Sequence, residues 1–338
     1  MIDGRRVKRA LTRLLLLTAV SLVCIILLEI AHRRLNGIPV SGNLRDGRGG
    51  SARIATFQKS RNDLLVYEPV PNARSHYSRV PNSLNSHGMR DREFSLEKPD
   101  GSFRIVALGD SIIYGYGVRI EDTLVKKLER KLNRSFDTDF EVLNFGVPGY
   151  STQQETELYR VRARRFDPDL VLIGYDLNDE IESSHEIRLF DRTHFSVFEK
   201  LYFIDFLRIS IRTLLATHLG LPFPRYRAET RVADNFQALR DSVDPGIPIV
   251  VVIFPRLVDF SDYQLGPIHR EVAEAGRDAG FHVLDLFDHF KNRDFSSLRI
   301  VADDYEHPNA SGNDLAANAT WHFLIRENLI PRDAGTAR

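Results

Sequence analysis

Apolar runs too short for helices recur along this chain at the interval of one strand-and-helix repeat, and that recurrence restricts the fold to a parallel α/β arrangement. Phe103–Leu108 stops at Gly109-Asp110-Ser111, Phe140–Phe145 stops at Gly146, and the run after Pro168 reaches Gly174. Between them lie stretches of helical period: Leu124, Leu128 and Leu132 on a charged segment, then Thr152 to Phe166. Ile247–Phe254 and Phe281–Leu286 read as fourth and fifth strands, and Asn309–Asn328 as a closing helix. Short apolar runs bounded by turn signals are buried strands, and strands alternating with helices join by right-handed crossovers. The expected architecture is a three-layer α/β/α sandwich with a mainly parallel five-stranded sheet.

Function follows from what those strands end on. Ser111, Gly146 and Asn178 stand 35 and 32 residues apart, about one repeat each, so each falls at or just past a strand's carboxyl end. Open α/β sheets bind ligands in the crevice beyond those ends, and neighbouring strands are about 4.8 Å apart, so the three positions converge on one crevice. Ser111 also opens a helical turn, where free N–H groups face a developing anion. A Gly-Asp-Ser tripeptide alone is equally an N-capped turn. A nucleophilic serine needs a base and a group to orient it. Asp304-Tyr305-Glu306-His307-Pro308-Asn309 offers both just before the last helix: an Asp three residues ahead of a His can hold one ring nitrogen and leave the other to take a proton.

Together these residues resemble, in order and spacing, the four signature blocks of SGNH hydrolases, also called GDSL esterases and lipases. The blocks are Gly109-Asp110-Ser111, Gly146 in Asn144-Phe145-Gly146, Asn178 in Leu177-Asn178-Asp179, and Asp304 to His307, and the resemblance spans about residues 85 to 325. Asn85-Ser86-His87-Gly88-Met89-Arg90-Asp91 is similar to exported or membrane-attached bacterial members. The resemblance implies a flavodoxin-like SGNH fold and a serine hydrolase acting on ester bonds, O-acyl or O-acetyl. It implies Ser111 as nucleophile, His307 as base, Asp304 as the residue orienting it, and the Ser111 and Gly146 N–H groups with the Asn178 amide as oxyanion hole. No cofactor and no metal is called for. The third block departs from its usual Gly-x-Asn-Asp: Asp176 occupies the glycine's place. A rival reading takes Asp176, Asp179, Glu180, Asp303, Asp304, Glu306 and His307 as a metal site, though their spacing matches no ligand motif and Ser111 would be idle.

Leu14 to Ile30 is almost unbroken apolar sequence after Arg5, Arg6, Lys8, Arg9 and Arg13. Seventeen residues at about 1.5 Å each span roughly 25 Å, near the lower limit for a bilayer core. No small-x-small cleavage pattern follows, so an uncleaved single-pass anchor is expected, with residues 1–13 cytoplasmic and the body extracytoplasmic. Residues 31–59 read as a glycine-rich flexible tether, 60–100 as a capping or edge segment of short β pieces, and 101–330 as the hydrolase domain. Within it 181–246 reads as a helical insertion, where Val197, Leu201, Ile204, Leu207, Ile211, Leu214 and Leu215 share one helical face. Lys plus Arg equals Asp plus Glu at 46 each, which leaves no basic field for nucleic acid. One cysteine, Cys24, excludes an intrachain disulfide. The partners expected are a small-molecule, glycan or lipid ester and the membrane. Two alternatives share the crevice: an O-acyltransferase with the same triad acting on an envelope glycan, and a non-catalytic glycan-binding envelope protein.

Overall fold

The computed structural model describes residues 16, 20–21, 23–31, 56–77, 80–177, 232–302 and 304–331. The chain divides into two compact units, residues 1–55 with 191–225 and residues 56–190 with 226–338. In the first, residues 23–31 are helical, and no helix among the described residues is long and apolar enough to cross a membrane. The expected 14–30 span is therefore not seen as one; part of it, residues 32–55 of the tether and the whole Val197–Leu215 stretch lie outside the described residues.

The second unit is built on a five-stranded, fully parallel sheet: β5 (Ser102–Gly109), β6 (Asp139–Gly146), β7 (Leu170–Tyr175), β8 (Ile249–Ile253) and β9 (His282–Asp285), in the order β6-β5-β7-β8-β9. Numbered within the sheet this is 2-1-3-4-5, the flavodoxin-like order, with its topological switch point beside the first strand, β5. The strands read as continuous apolar runs because both faces are covered. Alternate residues Val106, Leu108, Val171 and Ile173 pack with α3 (Thr152–Val161), α4 (Val232–Ser242) and α5 (Gly266–Asp278). Ile105, Ala107, Leu170 and Leu172 pack on the other side with α2 (Leu124–Ser135) and α7 (Ala310–Arg326). Two short helices, α1 (Ser111–Tyr114) and α6 (Phe287–Phe290), complete the set used below.

Helix starts follow their capping residues. Thr123 accepts from Lys126 N–H ahead of α2, Ser151 and Gln154 form a reciprocal capping box on α3, and Asn309 accepts from Ser311 and Gly312 N–H ahead of α7. The expected 152–166 helix breaks after Val161 into a 3-10 turn.

Two boundaries differ from the sequence reading. The tether ends before Phe57, because Phe57–Lys59 is strand β1, hydrogen-bonded antiparallel to β2 (Tyr67–Pro69). The Phe57 ring is buried against Tyr67 and Tyr114, so apolar packing fixes a segment that composition made look loose. The insertion ends before Val232: α4 is the crossover helix between β7 and β8, with Val232, Phe236 and Leu239 in the core. A second hairpin, β3 (Arg74–Tyr77) with β4 (Val80–Ser83), completes the capping segment.

Candidate active site

At the switch point β5 ends and α1 begins. Asp110 caps α1, its Oδ1 accepting from Ile112 N–H at 2.8 Å, which sets Ser111 at the first helical position on the carboxyl edge of the sheet. The loop before α7 comes to the same edge: Leu257 N–H, just past β8, donates to Tyr305 O at 2.7 Å and pins it there. His307 Nε2 lies 2.8 Å from Ser111 Oγ, and His307 Nδ1 lies 2.8 and 3.0 Å from the two oxygens of Asp304. Ser111, His307 and Asp304 thus form one continuous hydrogen-bonded chain between residues 196 positions apart. Asp304 Oδ1 also accepts from the Glu306 and His307 backbone N–H groups, so its orientation is set by the turn it sits in. With Nδ1 facing a carboxylate, the ring tautomer that donates there leaves Nε2 as an acceptor for the serine hydroxyl. The Tyr116 ring packs on the imidazole with centroids 4.6 Å apart.

Burial works against the Asp304 carboxylate, but hydrogen bonds from the His307 side chain and backbone, with the nearby His307 and Arg256 charges, hold it below its ordinary range. Asp110 is the opposite case: burial, then the neighbouring Asp176 charge, pushes it up to about 6. Its Oδ2 lies 3.2 Å from Ser111 Oγ, farther than His307 Nε2, so the single hydroxyl hydrogen goes to the imidazole when Asp110 is ionised. Asp176, the departure in the third block, is buried and accepts from Leu177 N–H at 2.7 Å. Burial raises it, against the charges of Arg256, whose Nε is 3.6 Å away, and His307. Arg256 also pairs with Glu306. Four members of the rival metal reading are therefore engaged within the protein: Asp304 with His307, Asp176 and Glu306 with Arg256. Asp179, Glu180 and Asp303 lie outside the described residues, and among the described residues no group of three or more His, Cys, Asp or Glu is arranged to hold an ion.

The expected oxyanion donors fare differently. Among the described residues no acceptor takes the Ser111 N–H. Asn178 lies outside the described residues. The Gly146 N–H donates to Asn144 Oδ1 at 3.0 Å, and a side chain there would meet the Tyr114 backbone nitrogen at 2.2 Å. Gly146 is thus required for α1 to lie against β6, and its N–H is occupied. Three residues on, Gly149 takes no such bond: it is half-buried, has φ of +79°, and its N–H has no acceptor among the described residues. Val147 N–H, bonded to Gly109 O at 2.9 Å, ties this loop to the end of β5. The Pro148-Gly149 pair is a turn signal in the sequence, and that signal could have singled Gly149 out. Glu155, on α3, was also unmarked; it is wholly buried and neither carboxyl oxygen has a hydrogen-bond partner among the described residues.

The sequence profile of the GDSL-like lipase/acylhydrolase family matches residues 107–315, more than half of the chain. The chain belongs to this family. The matched region runs from within β5 to within α7 and includes Ser111, Asp304 and His307, while β1 to β4 lie ahead of it. No curated protein matches the chain. Among solved structures it is similar to the lipase/acylhydrolase from Enterococcus faecalis, with 16% identity over 69% of this chain and 100% of that one and a TM-score of 0.46. It is also similar to the psychrotrophic esterase EstA from a Pseudoalteromonas species, with 17% identity over 67% and 98% of the two chains and a TM-score of 0.41. A two-domain esterase active on acetylated mannans has 16% identity over 70% of this chain and 52% of its own, with a TM-score of 0.43.

Proposed function

We propose that this GDSL-family protein is a serine esterase that hydrolyses an O-acyl ester of the O-acetyl kind. The observation that carries the reading is the unbroken chain Ser111 Oγ to His307 Nε2 to Asp304, 2.8 Å at both links. His307 takes the hydroxyl proton as Ser111 Oγ attacks the ester carbonyl, and Asp304 holds the ring and balances the imidazolium. The tetrahedral oxyanion then meets N–H groups of Ser111 and Gly149 and, on the sequence argument, the Asn178 amide. His307 returns the proton to the leaving alcohol, an acyl ester remains on Ser111, and a water deprotonated by His307 releases the acid. Gly149 replaces Gly146 in this scheme because Gly146's N–H is already bonded to Asn144. The apolar run from Leu14 and the basic residues ahead of it support, as part of the same proposal, a membrane-held enzyme with its catalytic body outside the cytoplasm.

The test is labelling with a fluorophosphonate and turnover of a small acetyl ester. Wild type labels on Ser111 and turns over; Ser111→Ala and His307→Ala each lose nearly all turnover, and the double variant is no slower than either single, because the residues act as a unit. Wild-type turnover in Ser111→Ala, or additive losses in the double variant, removes the triad.

A further inference from the structure

Tyr67 reaches the Val147–Tyr150 loop from β2, outside the segment matched by the family profile. Its hydroxyl donates to the Pro148 carbonyl at 2.6 Å, and the Tyr150 hydroxyl donates back to the Tyr67 carbonyl, with the two rings edge to face at 5.1 Å. Pro148 C=O and Gly149 N–H belong to one planar trans peptide, so they point in opposite directions, and holding the oxygen aims the N–H.

The turn around that peptide has two available states. Tyr150 N–H donates to Val147 O at 3.1 Å, which makes Val147 to Tyr150 a β-turn. Proline fixes a negative φ at its second position and Gly149 has φ of +79° at its third, so the turn is type II. Type I differs by a half-rotation of the central peptide and also takes proline at its second position, although glycine at the third favours type II. In that alternative the Pro148 carbonyl replaces the Gly149 N–H on the site side of the loop and meets the oxyanion with an oxygen. The turn's own sequence therefore favours the observed orientation, and an outside contact that holds the Pro148 oxygen adds to that bias.

We propose that Tyr67 is a positioning residue for the reaction: its hydroxyl, by binding the Pro148 carbonyl, locks the peptide in the orientation that offers Gly149 N–H to the oxyanion. This rests on the reading of Gly149 as an oxyanion donor. Gln154 supports the same junction, its Nε2 donating to Leu65 O at 3.2 Å while its Oε1 accepts from Ser151 N–H. An activity that the family-matched segment houses is thus tuned by a strand ahead of it.

The experiment uses the full-length protein and three variants. Tyr67→Phe keeps the ring that packs on Tyr150 and removes only the hydroxyl. Losing one buried hydrogen bond shifts a two-state equilibrium by about tenfold. The expected result is a kcat about two- to fivefold lower, because the competent state is the favoured one before the change, with KM unchanged, and a rate of Ser111 phosphonylation by a fluorophosphonate reduced in the same ratio, since that adduct also places an oxygen in the hole. Tyr150→Phe removes a hydroxyl from the same ring pair without touching the Pro148-Gly149 peptide, and should keep its kcat. An unchanged kcat in Tyr67→Phe, or an equal loss in Tyr150→Phe, overturns the proposal. Ser111→Ala separates the two levels: if it still labels, the site reading fails and the positioning role with it; if it is silent, the Tyr67 result stands alone.

Discussion

Glu155 shows how a single buried residue sets a pH limit for this fold. Burial, followed by the nearby Asp110 charge, raises its carboxyl well above the ordinary value, and among the described residues neither of its oxygens has a hydrogen-bond partner to stabilise the anion. A group whose folded pKa is raised contributes stability that is fully present below the unfolded value and is lost as pH climbs through the folded one. Ionisation of Glu155 is therefore a liability that grows as pH rises above the ordinary carboxylate range. Glu155→Gln, uncharged and of the same shape, should flatten the fall in melting temperature as pH rises and leave turnover at pH 7 within about twofold. A melting curve that falls with pH as steeply as wild type would mean that Glu155 does not govern that limb. Asp304 has the reverse sign. Held below its ordinary value, it contributes stability above the unfolded pKa that disappears as pH drops through the folded one. None of this was legible in the sequence, where Glu155 is one of several charges on a helix. Ser111, Asp304 and His307 were legible, because each sits beside a strand end or helix start that local pattern reveals.

At the scale of elements, α1 is the least self-sufficient piece of the site. A four-residue helix has no interior hydrogen-bond ladder to speak of, so its terminal groups must be satisfied from outside. Asp110 does this at the front. At the back, Arg90 Nη1 donates to Tyr114 O and Gly115 O at 3.0 and 2.8 Å, and Nη2 to Val118 O at 2.6 Å. Its guanidinium lies over the Tyr114 ring, 5.3 Å from the centroid, and is almost fully buried. A planar fork that serves three carbonyls has no equivalent in a lysine ammonium. Arg90→Lys should therefore destabilise the fold by about 1–3 kcal/mol, the cost of leaving buried acceptors unmet, and slow Ser111 labelling in the fraction that stays folded. Thermal unfolding and labelling kinetics check both; a variant with wild-type stability would show that the carbonyls find other donors. The five strands and the long helices were readable from period and length. The Arg90 clamp and the Tyr67 contact were not, since they join residues 24 to 81 positions apart and leave no periodic trace.

For the whole molecule, the question is where the folding unit begins. The family profile starts at residue 107, but the hydrophobic core takes in Phe57, Leu65, Tyr67, Leu84, Met89 and Phe94 alongside β5 and β6. Arg104 makes the dependence sharper. It is wholly buried, bonded through Nε and Nη2 to Glu141 at 2.8 and 2.6 Å, and its remaining donors reach Phe166 O, Leu96 O and Ser95 O. Removing the segment ahead of β5 would strip two of those carbonyls and open the core face beneath Tyr114 and Phe145. Each hydrogen bond to a charged group costs about 1.5–3 kcal/mol when lost, and the exposed apolar surface adds to that, against a total stability of about 5–15 kcal/mol. A chain begun at Asp100 should thus be recovered largely unfolded or aggregated. A chain begun at Gly50 keeps every one of these contacts and should fold, remain in the supernatant after high-speed centrifugation, and hydrolyse small acetyl esters at the full-length rate. Full-length protein in the membrane fraction beside Gly50-start protein in the supernatant assigns membrane attachment to the first 49 residues. If the shorter chain still pellets with membranes, attachment belongs to the body of the protein; if the Asp100 chain is folded and active, β1 to β4 are an accessory and the folding unit begins near the start of the family profile.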